Sequence, residues 1–423
     1  MVDTTDVQGY QTKFENQQAL LEDAEIDEAD RDAIERFVVH LRASDPDVDS
    51  LGTVVGHLNR CRLSAERAHI PITQMTDIED VDAFKLHLED VHGLSEGSIR
   101  NYMKSMRKFL QWYHDEPWTE AVKVGSPPER KHDPDEEITS DDLNAMLDAA
   151  SEFDSAARDK ALIALLRDTG LRIGAILSFQ IQHVDFEGRR GTISINEDAN
   201  VKDADGPKPV TWSRGYVANW LDVHPRPDDP EAALIHKTRQ WGDDEDGALR
   251  QQYAGRRIQE IAETAGLDPD RIHAHLFRGT AISEWIRDEM SDQTIKHRAD
   301  WSEDSRMFGV YSRVTDEQFN DVVFNHYDIG DPEDDEKSTG PDLDDCPQCR
   351  TSLRGEELFC PGCAAPLTQA AEDASEDVSG TVREFMVDER DGSKRGAAAA
   401  AAEAAENDAD FAAILFEELQ DLN

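Results

Sequence analysis

The stretch that decides how the fold is interpreted is Thr169-Gly-Leu-Arg-Ile-Gly-Ala-Ile-Leu177. The residues before it, 155–168, predict a helix, and Gly170 is placed to end that helix. Arg172 therefore follows a helix end, where its planar and permanently charged guanidinium can bind a phosphate through two oxygens. An isolated arginine in such a place more often only stabilises a helix C-terminus. A catalytic role for Arg172 therefore depends on which other residues the segment contains.

Three further candidate residues lie later in the same segment. The β-like runs 191–195 and 209–212 flank a polar turn, and this pattern predicts a small hairpin whose turn carries Lys202. His275 and Arg278 then stand three residues apart, which places them on one face if the segment is helical.

Trp301 and Tyr311 complete the set, ten residues apart. Cleaving and rejoining a DNA strand without a metal requires a nucleophile for phosphorus, cations for the phosphate oxygens and an acid for the leaving 5′-oxygen. The phenol of Tyr311 is a possible nucleophile, and the ammonium group of Lys202 is a possible acid. The guanidinium groups of Arg172 and Arg278 are cations that can bind phosphate oxygens. The segment is therefore interpreted as a candidate site for strand transfer.

This order of motifs resembles the tyrosine recombinase family, which comprises phage integrases and Xer-like enzymes. The resemblance covers about residues 27–327. It implies a mainly α fold, in which a helical core-binding domain of the SAM-like type precedes a catalytic domain of helices and a small β-sheet. The residues that carry it are Arg172, Lys202, His275, Arg278, Trp301 and Tyr311.

The resemblance also implies how the bond to phosphorus is made. Tyr311 attacks the scissile phosphate and leaves a 3′-phosphotyrosyl enzyme, while Arg172 and Arg278 stabilise the pentacoordinate phosphorus. The phosphotyrosyl bond conserves the energy of the phosphodiester, so neither ATP nor a catalytic metal is implied.

The other three residues are implied to serve proton transfer and packing. Lys202 acts as the general acid toward the 5′-oxygen. His275 assists proton transfer on the nucleophile or orients the phosphate. Trp301 packs against the site and can donate its indole N–H to a phosphate oxygen.

The chain departs from the family pattern in two places. Many members have an acid three residues past the first arginine, where this chain has Ala175, and the interval from Trp301 to the tyrosine is one residue longer than usual. Three alternatives stay open: Lys208 as the general acid, Tyr327 as the nucleophile, and His273 as the histidine of the site.

The first part of the chain predicts four helices, over residues 30–41, 51–68, 79–91 and 98–114. The fourth carries a basic stripe beside an apolar one, which is unusual in so acidic a protein. We interpret the basic stripe as a contact for the DNA backbone, and a merely solvated face is the alternative. Its members are Arg100, Lys104, Arg107 and Lys108.

Two linkers, rich in proline and charge or in Asp, Gly and Pro, divide the chain. The end of the tail is either a partner-binding amphipathic helix or a frayed one. The predicted parts are an N-terminal segment 1–26, a helical core-binding DNA clamp domain 27–124, a linker 125–138, a catalytic domain 139–327, an acidic linker 328–345, a cysteine module 346–367 and a low-complexity acidic, alanine-rich tail 368–423.

Four of the five cysteines form two Cys-x-x-Cys knuckles. Their spacing is typical of a zinc ribbon, in which a structural Zn²⁺ would supply most of the folding energy of so short a module. Two disulfides are the alternative, which a reducing cytoplasm disfavours. Cys61 is predicted to be a core residue. The predicted zinc ligands are Cys346, Cys349, Cys360 and Cys363.

The net charge of −47 comes from 91 acidic and 44 basic residues. Such a charge normally repels DNA. The acids are spread along the chain, however, and only 13 of the bases are lysines, a composition typical of haloarchaea. In molar salt the Debye length falls to about 3 Å, so local charge decides binding. No apolar run suits a membrane span and no secretory signal is evident, so we expect a soluble cytoplasmic protein.

The resemblance implies double-stranded DNA with specific recombination sites as the partner, bound by a homotetramer, with no membrane and no nucleotide cofactor. Two rival functions remain. The first is a recombinase-derived DNA-binding or regulatory protein, for which Ala175 is the best support. The second is a type IB topoisomerase-like relaxase, which shares the chemistry but needs no paired sites.

Overall fold

The computed structural model describes residues 3–46, 48, 50–127, 136–186, 191–199, 206–242, 245–288, 290–302, 305 and 346. The chain divides into two compact units, Gln8–Lys131 and Asp3–Val7 with His132–Asn423. Over the described residues both units are mainly helical, and the second contains a small three-stranded sheet. The predicted class, mainly α with a small sheet, is confirmed.

The described part of the first unit is a helical bundle in which α3 packs against α1, α2 and α5. The four predicted helices are all present, and α1 is a further one that the sequence reading did not predict. The helices are α1 (Tyr10–Glu22), α2 (Glu28–Ala43), α3 (Leu51–Arg67), α4 (Ile78–Asp90) and α5 (Glu96–His114), with short 3-10 turns at Ile72–Gln74 and Pro117–Ala121.

Side-chain caps fix where these helices begin. The Asp27 carboxylate accepts from the N–H of Ala29 at the start of α2, and Asp77 plays the same part for α4. Because the first N–H groups of a helix have no partner within it, each such cap contributes about 1 kcal/mol.

Aromatic side chains fill the core of the bundle. Phe37 and Phe109 are fully buried and meet edge to face, with their ring centroids 5.4 Å apart. Cys61 lies in the same core, as predicted, and burial raises the pKa of its thiol. Apolar contact therefore holds this unit together.

The described part of the second unit is built around α7, whose residues from Arg158 to Thr169 are all buried. A helix buried on every side is expected at the centre of a domain, and α7 packs against α8, α9, α11 and β3. The helices are α6 (Ser140–Ala149), α7 (Ala156–Thr169), α8 (Ile173–Ser178), α9 (Arg214–Leu221), α10 (Gln251–Thr264), α11 (Ala274–Arg287) and α12 (Asp292–Arg298).

The predicted hairpin is present as two antiparallel strands, β2 (Gly191–Ser194) and β3 (Pro207–Val210), in the register that pairs Ile193 with Lys208. The short strand β1 (Val184–Asp185) adds to the other edge of β2 and was not predicted. Strand β3 begins two residues earlier than the sequence indicated and ends at Val210. The turn that carries Lys202 lies outside the described residues.

The first described residues of the chain belong to the second unit. Thr4 donates its N–H to the Asp246 carboxylate over 2.6 Å and accepts from the Gln180 amide over 2.9 Å. The carbonyl of Val7 accepts from the N–H of Gln251 over 3.0 Å. These bonds pin the segment Asp3–Val7 near the start of α10.

Candidate active site

Arg278 lies at the centre of the candidate site. It is carried by α11 and is only 3 % exposed. Its Nη1 donates to the carbonyl of Gly170 and its Nη2 to the carbonyl of Ala299, both over 2.6 Å. Its guanidinium carbon is also 5.9 Å from the centre of the Trp301 ring. One buried cation thus joins two chain segments that are far apart in sequence.

The loop that carries Arg172 is one of those two segments. Gly170 ends α7 with φ +57°, as the sequence predicted, and a Cβ on it would lie 2.7 Å from the Trp285 ring. Glycine is therefore needed here for its backbone conformation and for its lack of a side chain. Arg172 follows as the residue before α8, with an exposed side chain. The bond from Arg278 fixes the loop two residues before Arg172.

The carboxylate of Asp168 ties three elements together just before this loop. Asp168 is 1 % exposed and accepts from the N–H and hydroxyl groups of both Thr211 and Ser213. Arg298 on α12 donates to the same carboxylate over 2.9 Å. The ends of α7, β3 and α12 are therefore held at one point.

The turn from Arg298 to Trp301 is the second segment that Arg278 holds. The ammonium group of Lys208, on β3, donates to the carbonyl of His297 over 2.9 Å and lies 3.1 Å from the Asp300 carboxylate. Lys208, an alternative to Lys202 as general acid, is thus engaged in a buried ion pair. Trp301 follows directly and is half-buried.

The two histidines at the start of α11 differ in their surroundings. His273 precedes the helix, and its Nδ1 accepts from the N–H of Leu276 over 3.1 Å. This bond gives His273 a capping role and fixes the start of α11 at Ala274. His275 lies in the first turn with an exposed side chain, on the same helix as Arg278.

A cluster of acids lies at the end of α11. Burial, and secondarily repulsion from Glu284, raises the pKa of Asp288 to about 6. Glu284 is itself paired with Arg167 of α7, with the two charged atoms 2.5 Å apart. Asp288 therefore titrates near pH 6, directly after the helix that carries Arg278.

Several predicted residues lie outside the described part of the chain. These are Lys202, Tyr311 with its alternative Tyr327, and three of the four predicted zinc ligands, Cys349, Cys360 and Cys363. Cys346 is described and is buried. Among the described residues no group of three or more potential metal ligands comes together.

Ala175, where the family pattern has an acid, is buried in α8. A carboxylate at this position would lose its hydration and would need a partner. The small apolar side chain fits a helix whose six residues are all buried.

The predicted basic stripe lies on α5 of the first unit. Lys104 is exposed, while Arg100, Arg107 and Lys108 are half-buried. The Lys108 ammonium lies 3.0 Å from the Asp45 carboxylate. Burial, and secondarily the nearby charges of Lys108 and Lys104, lower the pKa of His57 on α3 to about 4, so His57 is neutral beside the stripe.

Two further bases beside α5 escaped the sequence analysis. Arg60 and Arg67 project from α3 onto the ring of Tyr102, with guanidinium carbons 5.3 and 5.4 Å from its centre. Their spacing of seven residues places them on one face of α3, a signal that the sequence offered and that was not used. The basic residues of the first unit thus come from two packed helices.

Among the described helices, none combines the length and the apolar character needed to cross a bilayer. Residues 136–318 match the family model described as the phage integrase family. This match supports the predicted resemblance over the second unit.

This chain is similar to tyrosine recombinase XerC of Escherichia coli O1:K1 / APEC and of Escherichia coli strain K12 / DH10B. Each is 25 % identical over 134 residues, which is 31 % of this chain and 43 % of the relative. The chain therefore spans less than half the length of these curated relatives.

Two solved structures are also similar. A lambda integrase tetramer bound to a Holliday junction has a TM-score of 0.49 and 12 % identity, over 67 % of this chain and 78 % of the other. XerH site-specific recombinase bound to difH substrate, a pre-cleavage complex, has a TM-score of 0.48 and 14 % identity, over 77 % and 96 %.

Proposed function

We propose that this chain is a site-specific DNA recombinase that cleaves and rejoins strands through a 3′-phosphotyrosyl intermediate. One observation carries the proposal. Arg278 bonds the carbonyls of Gly170 and Ala299, so the loop of Arg172 and the turn of Trp301 lie around one guanidinium group. Phosphoryl transfer requires cations positioned around one phosphorus atom, and these bonds hold the loop of Arg172 beside Arg278.

The proposed reaction balances without a cofactor. The phenol oxygen of Tyr311 forms a bond to phosphorus, and its proton passes to His275. The bond from phosphorus to the 5′-oxygen breaks, and Lys202 gives that oxygen a proton. Arg172 and Arg278 neutralise the charge that accumulates on the two non-bridging oxygens. Attack by a 5′-hydroxyl of a second strand reverses the step and exchanges strands.

Covalent trapping tests this proposal. A pool of nicked duplexes with randomised arms, which presupposes no target sequence, is incubated with the chain in molar KCl, and adducts are recovered under denaturing conditions. We expect the wild type and Tyr327→Phe to trap DNA, and Tyr311→Phe to trap none. Folded wild-type protein that binds DNA without an adduct would favour the regulatory alternative.

A second assay on the recovered sequence separates recombination from relaxation. A plasmid with two recovered sites should yield recombinant products, and a plasmid without sites should stay supercoiled. Relaxation of both plasmids at equal rates would favour the relaxase alternative.

We propose double-stranded DNA as the partner of the first unit and a homotetramer on paired sites as the active assembly. Lys104, Arg107 and Arg100 on α5 would contact the phosphates, joined by Arg60 and Arg67 on α3. Support comes from the concentration of bases on two packed helices in a chain of net charge −47. Equilibrium sedimentation of the trapped complex tests the assembly, and a dimer as the largest species would contradict it.

We also propose a haloarchaeal, high-salt cytoplasm as the setting of the protein. At high salt, counterion release contributes little to binding, so base, shape and water-mediated contacts would have to carry the affinity. The affinity for recovered DNA should therefore persist from low to saturating KCl. A steep loss well below molar KCl would contradict this.

We propose that residues 346–367 form a zinc ribbon separate from the catalytic domain 139–327. Cys346, Cys349, Cys360 and Cys363 would bind one structural Zn²⁺, with the tail after residue 367 outside the ribbon. Metal analysis of purified protein should find one zinc per chain, retained in the control Cys61→Ala and lost in Cys360→Ser. Equal zinc content in both variants would contradict the assignment.

A further inference from the structure

Lys208 and Asp300 form a buried ion pair that the proposed reaction does not use. Their charged atoms are 3.1 Å apart, and the residues are only 2 % and 5 % exposed. Two charges withdrawn from water cost several kcal/mol each before their attraction is counted, so a buried pair is not by itself a source of stability. Such a pair is better explained by the geometry that it fixes.

The ion pair fixes the conformation of the turn before Trp301. Asp300 has φ +55°, in the left-handed region that glycine favours and a side chain resists. Two carbonyls just before Asp300 accept from cations of different elements: that of His297 from Lys208 on β3 and that of Ala299 from Arg278 on α11. The turn is thus held from two sides, and Trp301 is the next residue.

We propose that Lys208 and Asp300 are positioning residues for strand cleavage. Their ion pair holds the turn that leads to Trp301 against the first residues of strand β3, which follow the segment of Lys202 in the chain. The inference rests on the proposed function of the site. It assigns Lys208 a role through Asp300 and leaves proton donation to the 5′-oxygen with Lys202, because the Lys208 ammonium would have to leave its pair to reach a substrate.

Single-turnover cleavage of recovered DNA at saturating protein tests the positioning role. We expect Lys208→Met and Asp300→Asn to slow adduct formation by about 100-fold, the effect of a misplacement of about 1 Å, with DNA affinity unchanged. The matched control is Glu245→Gln, which breaks the half-exposed Lys237–Glu245 pair elsewhere in the second unit. It should cleave at the wild-type rate.

The double variant Lys208→Met with Asp300→Asn separates positioning from stability. Each single change leaves one buried charge without its partner and should lower Tm, whereas the double change removes both charges and should restore Tm. We expect the double variant to be stable and still slow. If it regains both Tm and the wild-type rate, the pair only stabilises the fold and the proposal is wrong.

A DNA with sulfur in place of the bridging 5′-oxygen separates positioning from acid catalysis, because a thiolate leaves without a proton. Lys202→Ala should be rescued by this substrate, and Lys208→Met should not be. Rescue of Lys208→Met would make Lys208 the general acid and overturn the proposal.

Hydrogen–deuterium exchange gives a readout that does not depend on activity. Without DNA, residues 297–301 should exchange faster in Asp300→Asn than in Glu245→Gln, and equal rates would overturn the proposal. If the wild type forms no adduct but the exchange result is as expected, the proposed function fails while the structural role of the pair stands.

Discussion

In the first unit, Phe37, Leu58 and Phe109 pack in a core of apolar side chains. Around Arg278 in the second unit, the decisive contacts are instead charged groups bonded to carbonyls and carboxylates. Apolar contacts are non-directional and tolerate repacking, whereas hydrogen bonds between buried charges fix angles and distances. The difference suggests that the first unit uses its interior for stability and the second uses part of its interior for positioning.

The largest expected effect comes from Asp168, whose carboxylate is buried in the second unit. Asp168→Asn would leave the Arg298 guanidinium, whose side chain is only 12 % exposed, without its counter-charge and should cost about 3 kcal/mol in the free energy of unfolding. Urea denaturation measures this cost. The control Asp154→Asn breaks a fully exposed pair with Arg239 and should have almost no effect. Equal losses in the two variants would contradict the role given to Asp168.

A truncation in the apolar core should separate stability from chemistry. Leu58→Ala, at a position with no exposure, should cost about 2–5 kcal/mol. The cleavage rate of the remaining folded protein should stay at the wild-type value. Leu86→Ala, on an exposed side chain, is the matched control and should leave the urea midpoint unchanged. A cleavage defect in folded Leu58→Ala would contradict the view that the core of the first unit serves stability alone.

Gly170 tests how tightly the loop of Arg172 is held. Gly170→Ala should lower the free energy of unfolding in two ways. The positive φ costs a residue with a side chain about 1 kcal/mol, and the clash with Trp285 costs about 1–3 kcal/mol more. Gly266→Ala has the same backbone penalty, since φ is +78°, but no neighbour within 4 Å. Thermal unfolding should therefore show a larger loss at Gly170. Equal losses of Tm in the two variants would mean that the Trp285 side chain moves aside without lowering stability.

The smallest expected effect depends on pH. The pKa of Asp288 is raised to about 6, above the value of about 3.9 for an unfolded chain, so the folded protein holds this proton more tightly. Stability from this group is therefore present below about pH 4 and is lost as pH rises through about 6. Asp288→Asn should be more stable than the wild type at pH 7 by about 1 kcal/mol, after allowance for partial exposure.

The same variant should show almost no gain at pH 4, where the wild-type carboxyl is already protonated in the fold. Urea midpoints of wild type and Asp288→Asn at both pH values check this. A constant difference at the two pH values would show that the titration of Asp288 is not coupled to folding.

The sequence predicted local features better than distant ones. The apolar periodicity of α2 and α5 and the glycine that ends α7 are local signals, and the structure agrees with all three. The start of α11 has no such signal, because its cap is a histidine, His273, instead of one of the usual capping residues. The short helices α8, α9 and α12 offer too few turns for a periodic pattern.

The supports of the site could not be predicted at all. Asp168 meets partners 43 to 130 residues away, and Lys208 meets His297 at a distance of 89 residues. No pattern along the chain connects such positions, because only the packing of α7, β3 and α12 brings them together. The family motifs indicated which residues would touch a phosphate, and the structure was needed to show what holds Arg278 and Trp301 in place.

The most direct measurement is to identify the amino acid that becomes attached to DNA. Trapped adducts are digested with protease and nuclease, and the modified peptide is sequenced by mass spectrometry. If Arg172, Arg278 and Tyr311 act on one phosphate, the modification will be at Tyr311, linked to a 3′-phosphate, and it will disappear in Arg278→Ala. Attachment at Tyr327, linkage to a 5′-phosphate, or undiminished adduct in Arg278→Ala would contradict that convergence.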